Sequence, residues 1–229
     1  REVTGTAAKN TAYILSETYG EVARLVLDRN LRCGVQVKTI NEAYGRDFIP
    51  TFNIMLGKGG VEPTFPAVLS TKMDGVRLLA FVDNNHDVVL RTRSGKIALI
   101  GNLSARLSKL DPGVYDGELA SLTGKQKDRT RISGQVNRSM HGTNHNITDG
   151  YFYIFDFIEQ SDWDRQLSSA PYAFRYGYLQ DNVPHDLMFG VLKQETVNSP
   201  TDVERHFTSA LEEGYEGVMV RYVEDPYIF

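Results

Sequence analysis

A lysine presented at a chain turn can act as a nucleophile, and Ser70-Thr71-Lys72-Met73-Asp74-Gly75-Val76-Arg77 has the composition of such a turn between two strand-like runs. An amine attacks phosphorus only when deprotonated. A site built on Lys72 therefore has to favour the neutral form through neighbouring cations, a bound metal or partial burial. Arg77 follows closely, and a guanidinium fork suits phosphate oxygens. Lys-x-Asp-Gly arises by chance in roughly one chain of this size in twenty, so alone it reads equally as an Asp-Gly turn between surface charges. Three further stretches carry candidates. Tyr115-Asp116-Gly117-Glu118-Leu119 sets a carboxylate in a strand-like run, where the plain alternative is an edge-strand residue in water. Glu216-Gly217-Val218-Met219-Val220-Arg221 places another where a helix gives way to a strand, a position equally open to a solvated loop residue. Phe152-Tyr153-Ile154-Phe155-Asp156-Phe157 is aromatic and by default core, although one ring stacked on a base would contribute about 1–3 kcal/mol.

The elements that must position these residues follow from periodicity. Runs at 67–71, 76–82, 88–92, 114–120 and 151–158 are rich in β-branched or aromatic residues, and Asn84-Asn85-His86 suits a hairpin turn. Helices are predicted at about 103–109, 172–180 and 202–213, with a last strand over 217–223. Strands in hairpins with interspersed helices point to an α+β fold with largely antiparallel sheets. The first sixty residues differ. Tyr13, Leu15, Val22, Leu25 and Val26 are spaced as on helices over about 7–30, with Gly20 as a break, and a third helix is expected over 35–44. Gly57, Gly59, Gly60 and Pro63 form a turn-rich connector, dividing the chain into 1–60 and 61–229.

At 229 residues and 41% hydrophobic, the chain can bury a sizeable core. Its single cysteine, Cys33, excludes an intrachain disulfide framework and a thiolate-rich zinc site, and fits a reducing intracellular compartment. No run of about eighteen uncharged apolar residues exists, so no membrane partner is expected. The chain begins at Arg1 without a charged-then-apolar leader, and residues upstream are expected to be missing. A net charge of −4 argues against a protein that coats nucleic acid. A local basic cluster, Arg129, Arg131 and Arg138 with Lys125 and Lys127, can be a phosphate track or, more commonly, a solvated face.

Taken in order, the four stretches resemble the motif series of the covalent nucleotidyltransferases: ATP-dependent DNA ligases, RNA ligases and mRNA capping enzymes. Arg93-Ser94-Gly95 is similar to the arginine motif that this family carries between the first two. Asn30-Leu31-Arg32-Cys33-Gly34-Val35 and the helix after it resemble the end of the helical DNA-binding domain of DNA ligases, those of bacteriophages in particular. Residues 129–143, with Ser133-Gly134-Gln135 and Met140-His141-Gly142-Thr143, resemble an insertion in the same enzymes. The resemblance implies a partial all-α DNA-binding domain (1–60) before an antiparallel-sheet nucleotidyltransferase, or adenylation, domain (61–229). It also implies that the chain stops before the family's Lys-x-Lys motif and OB-fold domain.

The same resemblance implies a DNA ligase (ATP) that seals nicks in duplex DNA through lysyl-AMP and a DNA-adenylate, serving DNA replication, repair and recombination. Lys72 would be the catalytic nucleophile. Lys72, Arg77, Arg93, Glu118 and Phe155 would bind ATP, with Glu118 on the ribose, Phe155 on adenine and the arginines on phosphate. Glu118 and Glu216 would hold Mg²⁺, a hard cation suited to carboxylate oxygen. Gly75 and Gly117 would keep the backbone close to the ligand. The expected partner is nicked double-stranded DNA, engaged by an intracellular monomer. Ser70 departs from the pattern: many ligases place Glu or Gln there to hydrogen-bond adenine, and serine is too short for that contact. The alternatives are an RNA ligase, a capping nucleotidyltransferase, or a non-catalytic module that binds DNA ends. Covalent uptake of ATP or of GTP would separate them.

Overall fold

The structure is a computed structural model that describes residues 10–23 (apart from 12, 16 and 22), 37–45, 52–59, 62–125, 128–142 and 144–229. Residues 30–35, Lys127 and Thr143, which carry part of the resemblance and of the basic cluster, lie outside the described residues. The chain forms two compact units, Arg1–Thr51 and Phe52–Phe229. In the first, the described residues between 10 and 23 are helical. Gly20, at the expected break, takes φ 67°, a left-handed backbone that glycine adopts without a Cβ penalty. Helix α1 (Val37–Tyr44) is followed by Gly45 at φ 61°, the common left-handed stop. The second unit begins ahead of the glycine-rich connector because Phe52, Ile54 and Met55 pack with Leu79, Val114 and Trp163.

The second unit contains two sheets. Strands β1 (Ala67–Thr71), β7 (Gln194–Val197) and β8 (Val218–Tyr222) form a three-stranded antiparallel sheet with β1 in the middle. Strands β2 (Val76–Val82), β3 (Val88–Thr92), β4 (Gly113–Ser121), β5 (Gly150–Ile158) and β6 (Phe189–Val191) form a five-stranded sheet in the order β3-β2-β4-β5-β6. Its pairings are antiparallel except for β5 with β6. The fold is thus α+β with largely antiparallel sheets, as periodicity predicts.

One face of the large sheet carries the main core. Leu78, Ala80, Leu90, Tyr115, Leu119, Phe152 and Ile154 pack under α2 (Gly101–Leu107), α3 (Arg129–Ser139) and α5 (Tyr172–Asn182) through Leu103, Leu107, Ile132, Val136 and Leu179. Burying each such Leu, Ile or Phe stabilises the fold by roughly 1.5–3 kcal/mol. On the opposite face, Leu79, Val114 and Ile158 are sealed by Ile54, Tyr227 and Trp163 of α4 (Gln160–Arg165). The small sheet packs Ala67, Leu69 and Val197 against Val203 of α6 (Pro200–Glu212). That helix starts earlier than its apolar spacing indicates because Ser199 caps it, its Oγ accepting the Asp202 N–H at 3.2 Å.

Elements α3, α4, β6 and β7 lie outside the periodicity-based assignment. In α3 the buried residues are Ile132, Gln135, Val136 and Ser139, so half of its inward face is polar and the helical stripe is faint. Strands of three and four residues, such as β6 and β7, are too short for alternation to register.

Candidate active site

Strand β1 belongs to the small sheet and β2 to the large one, so residues 72–75 are the crossing between them. Two backbone bonds tie this crossing down. The Lys72 N–H donates to the Gly217 carbonyl at 2.9 Å, and the Asp74 N–H to the Gly124 carbonyl at 3.3 Å. A Cβ on Gly75 would stand 2.2 Å from the Leu119 carbonyl oxygen, so only glycine lets the crossing lie on β4. A Cβ on Gly117 would meet the Tyr153 carbonyl oxygen at 2.6 Å and the Phe152 ring at 2.7 Å. In both cases a close approach of the protein's own strands requires glycine.

Lys72 emerges at this crossing and its Nζ forms an ion pair with Glu216, the residue just before Gly217 and β8. Both side chains are partly open to solvent, at 39% and 37%. Glu118 lies across from Arg77 on β4, which β2 and β5 flank, so it is not the edge-strand carboxylate of the plain reading. It is half-buried, and burial pushes its pKa up to about 7. The Arg77 charge opposes that rise, Asp116 adds to it, and the Gly75 N–H and Lys72 oppose it further. The carboxylate is thus held where a cation would favour its ionised form.

Phe155 stands at an irregularity in β5. Asp116 pairs with Asp156 but Gly117 pairs with Ile154, which leaves Phe155 as an extra residue in β5. Strict alternation would turn Asp156 to the same face as Phe152 and Ile154, into the apolar core. The bulge puts Asp156 with Phe155 on the opposite face, beside Asp116. The Phe155 ring is 8% exposed and flanked by guanidiniums, Arg221 at 4.6 Å and Arg77 at 5.4 Å from its centroid.

Arg77 receives a different task from the phosphate contact expected of it. Its Nε and Nη2 donate to Asp116 at 2.9 and 2.5 Å, and its Nη1 to the Met55 carbonyl at 2.6 Å. Tyr227 donates to the same carboxylate at 2.8 Å. Burial works against the Arg77 charge, but Asp116 outweighs it and raises the pKa above its ordinary value. Next to this group, buried Asp156 accepts from Arg175 Nε at 2.7 Å and Nη2 at 3.2 Å. Arg93 stands exposed in the turn after β3, one residue past the Leu78–Thr92 pair, at the same end of the sheet as Arg77. The structure therefore gathers Lys72, Glu118, Glu216 and Phe155 around one crossing and leaves Arg93 at its rim.

Several members of the site escaped the motif reading. Arg129, noted only as part of a basic cluster, pairs at 3.0 Å with Asp74, whose carboxylate is 4% exposed two residues from Lys72. Arg221 ends the last motif, and its place over Phe155 depends on the packing of one sheet against the other. Tyr227, Arg175 and Gln194 carry no local signal, because their partners lie far away along the chain.

Among the described residues no group of three or more His, Cys, Asp or Glu side chains could by itself hold a metal. Glu118 and Glu216, both next to Lys72, are nevertheless a donor set that fits Mg²⁺. That ion is commonly held by one or two carboxylates and completes its octahedron with phosphate oxygens and water. No helix among the described residues is long and apolar enough to cross a membrane.

The profile of the ATP-dependent DNA ligase domain matches residues 62–229. The chain belongs to that family. DNA ligases of two African swine fever virus isolates are 27% identical to it over 194 residues, covering 77% of this chain and 41% of theirs. The chain therefore spans less than half the length of these ligases. A structure designated Pmar-Lig_Pre shares the fold over 100% of this chain and 57% of its own, with a TM-score of 0.74 at 23% identity. The ATP-dependent DNA ligase from bacteriophage T7, in complex with ATP, has a TM-score of 0.58 at 16% identity over 71% of this chain and 58% of its own. The Chlorella virus DNA ligase-adenylate has 0.54 at 20% identity over 73% of this chain and 57% of its own. The ligase-domain match covers every residue of the crossing, both sheets and the carboxylates beside Lys72.

Proposed function

We propose that this ligase-family chain takes AMP onto Lys72 and serves an intracellular, monomeric ATP-dependent DNA ligase that acts on nicked duplex DNA. The supporting observation is the placement of Lys72 Nζ at the crossing of the sheets, against Glu216 and within the field of Glu118. In the first step the amine lone pair attacks the α-phosphorus of ATP. A P–N bond forms, the bond from that phosphorus to the bridging oxygen breaks, and pyrophosphate leaves with the electron pair. An oxygen of the 5′-phosphate at a nick then attacks the same phosphorus and displaces the lysine. Finally the 3′-hydroxyl attacks the 5′-phosphorus, and AMP leaves as the strand closes.

Roles follow from position. Glu216 holds the Lys72 amine at the crossing, and Glu118, from the central strand, accepts from the ribose hydroxyls. Phe155 offers a ring face to adenine, which takes the place of the Arg221 guanidinium. Arg93 meets phosphate at the rim, while Arg77 fixes the floor through Asp116. Glu118 and Glu216 would hold a divalent cation, which would supply positive charge to the phosphoryl oxygens as they gain negative charge. The domain division follows the same reading, with the helical residues preceding the adenylation unit as part of a DNA-binding domain.

The test is covalent labelling with ATP and Mg²⁺ followed by mass spectrometry, which should place AMP on Lys72. A Lys72→Ala protein that labels to a similar extent ends this reading. Covalent uptake of GMP in place of AMP turns it toward a capping enzyme.

A further inference from the structure

Gln194 opens β7 and is the cross-strand partner of Ser70, as Met219 is on the other side of β1. By alternation Ser70, Gln194, Met219 and Arg221 share the face of the small sheet opposite the one that packs on α6. Arg221 from this face lies over Phe155, so these residues form the wall that a base on Phe155 would meet. Ser70 is buried and its side chain ends at Oγ, too short to cross such a space.

The amide of Gln194 is held in one sense. The Tyr172 hydroxyl donates to the Phe155 carbonyl at 2.8 Å, which leaves the phenol oxygen as an acceptor. It accepts from Gln194 Nε2 and, at 3.5 Å, from Arg221 Nη1. Burial pushes the Tyr172 pKa up to about 12, so the hydroxyl keeps its proton for Phe155. Gln194 Oε1 is then left buried with no partner. Among the described residues the other such side-chain atom is Ser168 Oγ. An orphaned buried carbonyl oxygen is unfavourable unless a ligand brings the missing donor.

We infer that Gln194 Oε1 reads the 6-amino group of adenine and makes the pocket select ATP over GTP, doing from β7 what Ser70 is too short to do from β1. The inference rests on the reading that Phe155 carries the base. The oxygen is an acceptor only; adenine presents a donor at position 6, whereas guanine presents a carbonyl. Turning the amide to offer its N–H groups to guanine would set Oε1 against Tyr172. The hydroxyl would then have to leave the Phe155 carbonyl, orphaning a buried acceptor in its turn. Recognition and rejection thus come from one relay, Gln194 to Tyr172 to Phe155.

The experiment is equilibrium titration of the whole 229-residue chain carrying Lys72→Ala. ATP, GTP and purine riboside triphosphate, which lacks only the 6-amino group, are the probes. ATP should bind at least about tenfold more tightly than the purine analogue, the worth of one buried hydrogen bond. Gln194→Met should bring that ratio to about one by weakening ATP alone. Tyr172→Phe frees the amide to turn, so GTP should gain on ATP while the purine ratio persists. This second variant decides the matter where Gln194→Met does not fold. An unchanged ATP-to-purine ratio in folded Gln194→Met overturns the inference, as does collapse of the ratio in Ser70→Ala alone. Failure of the parent chain to take AMP on Lys72 would sink the proposed function and this inference together. Normal labelling with an unaltered ratio sinks the inference alone.

Discussion

The large sheet and the crossing of the sheets handle charge in opposite ways. On the floor formed by β4 and β5, Asp116 and Asp156 are fully buried, and each is held by a buried or nearly buried arginine in two-pronged contact. Tyr227 completes the Asp116 group. At the crossing, Lys72 and Glu216 hold each other in partial contact with water, and Glu118 is pushed toward neutrality. Buried charges persist only when paired and hydrogen-bonded, and that pairing makes them rigid and chemically inert. Charges that must let go of one partner and take a phosphate or a cation are better kept near solvent. The floor therefore sets shape, and the crossing holds the groups that the proposed reaction would use.

Mutations on the two sides can break that division. The largest effect is expected at the floor. Arg175→Met leaves the Asp156 carboxylate buried without its partner and should lower stability by about 3–5 kcal/mol in urea unfolding. Adding Asp156→Asn should recover much of the loss, and a single-variant loss under about 1 kcal/mol would mean that the floor is not rigidly paired. At the crossing, Glu216→Gln should change stability by less than about 1 kcal/mol, as for a solvent-exposed pair. Its AMP transfer to Lys72 should nevertheless slow by roughly a hundredfold or more, the effect of losing one preorganised electrostatic partner. Equal effects on unfolding and on labelling would make Glu216 a structural residue.

Phe155 lies where the two regions meet. Phe155→Leu keeps apolar volume and should leave the fold intact while weakening ATP binding by about 1–3 kcal/mol. Normal affinity in the folded variant would return the ring to the core. A further effect concerns pH. Folded Glu118 titrates near 7 against an ordinary value of 4.5, so between those values the folded state holds the extra proton. Stability contributed by this group is therefore present below 4.5 and is lost as pH rises through 7. Glu118→Gln removes that dependence, so its melting temperature should gain on the parent between about pH 5 and pH 8. Parallel melting curves across that range would show that Glu118 ionises as freely as it does in water.

The order of four short motifs singled out Lys72, Glu118, Glu216 and Phe155 as candidates, because each motif is a local arrangement of strand, turn and charge. Strands β2 to β5 of the large sheet were legible for the same reason, their β-branched and aromatic runs being long enough to show. What lay beyond local reading is whatever depends on residues distant along the chain. Arg77 looks like a phosphate ligand five residues from Lys72, yet its carboxylate partner is 39 residues away and that partner's tyrosine 111. Asp156 joins Phe155 on the face of Asp116 only because β5 carries one more residue than β4 opposite it, a mismatch that neither strand reveals alone. Gln194 stands beside Ser70 through strand pairing across more than half of the chain. Local sequence determines which elements form and which side chains can react. Cross-strand register and the packing of one sheet on another decide which charge neutralises which, since burial and partner distance exist only once the chain has closed.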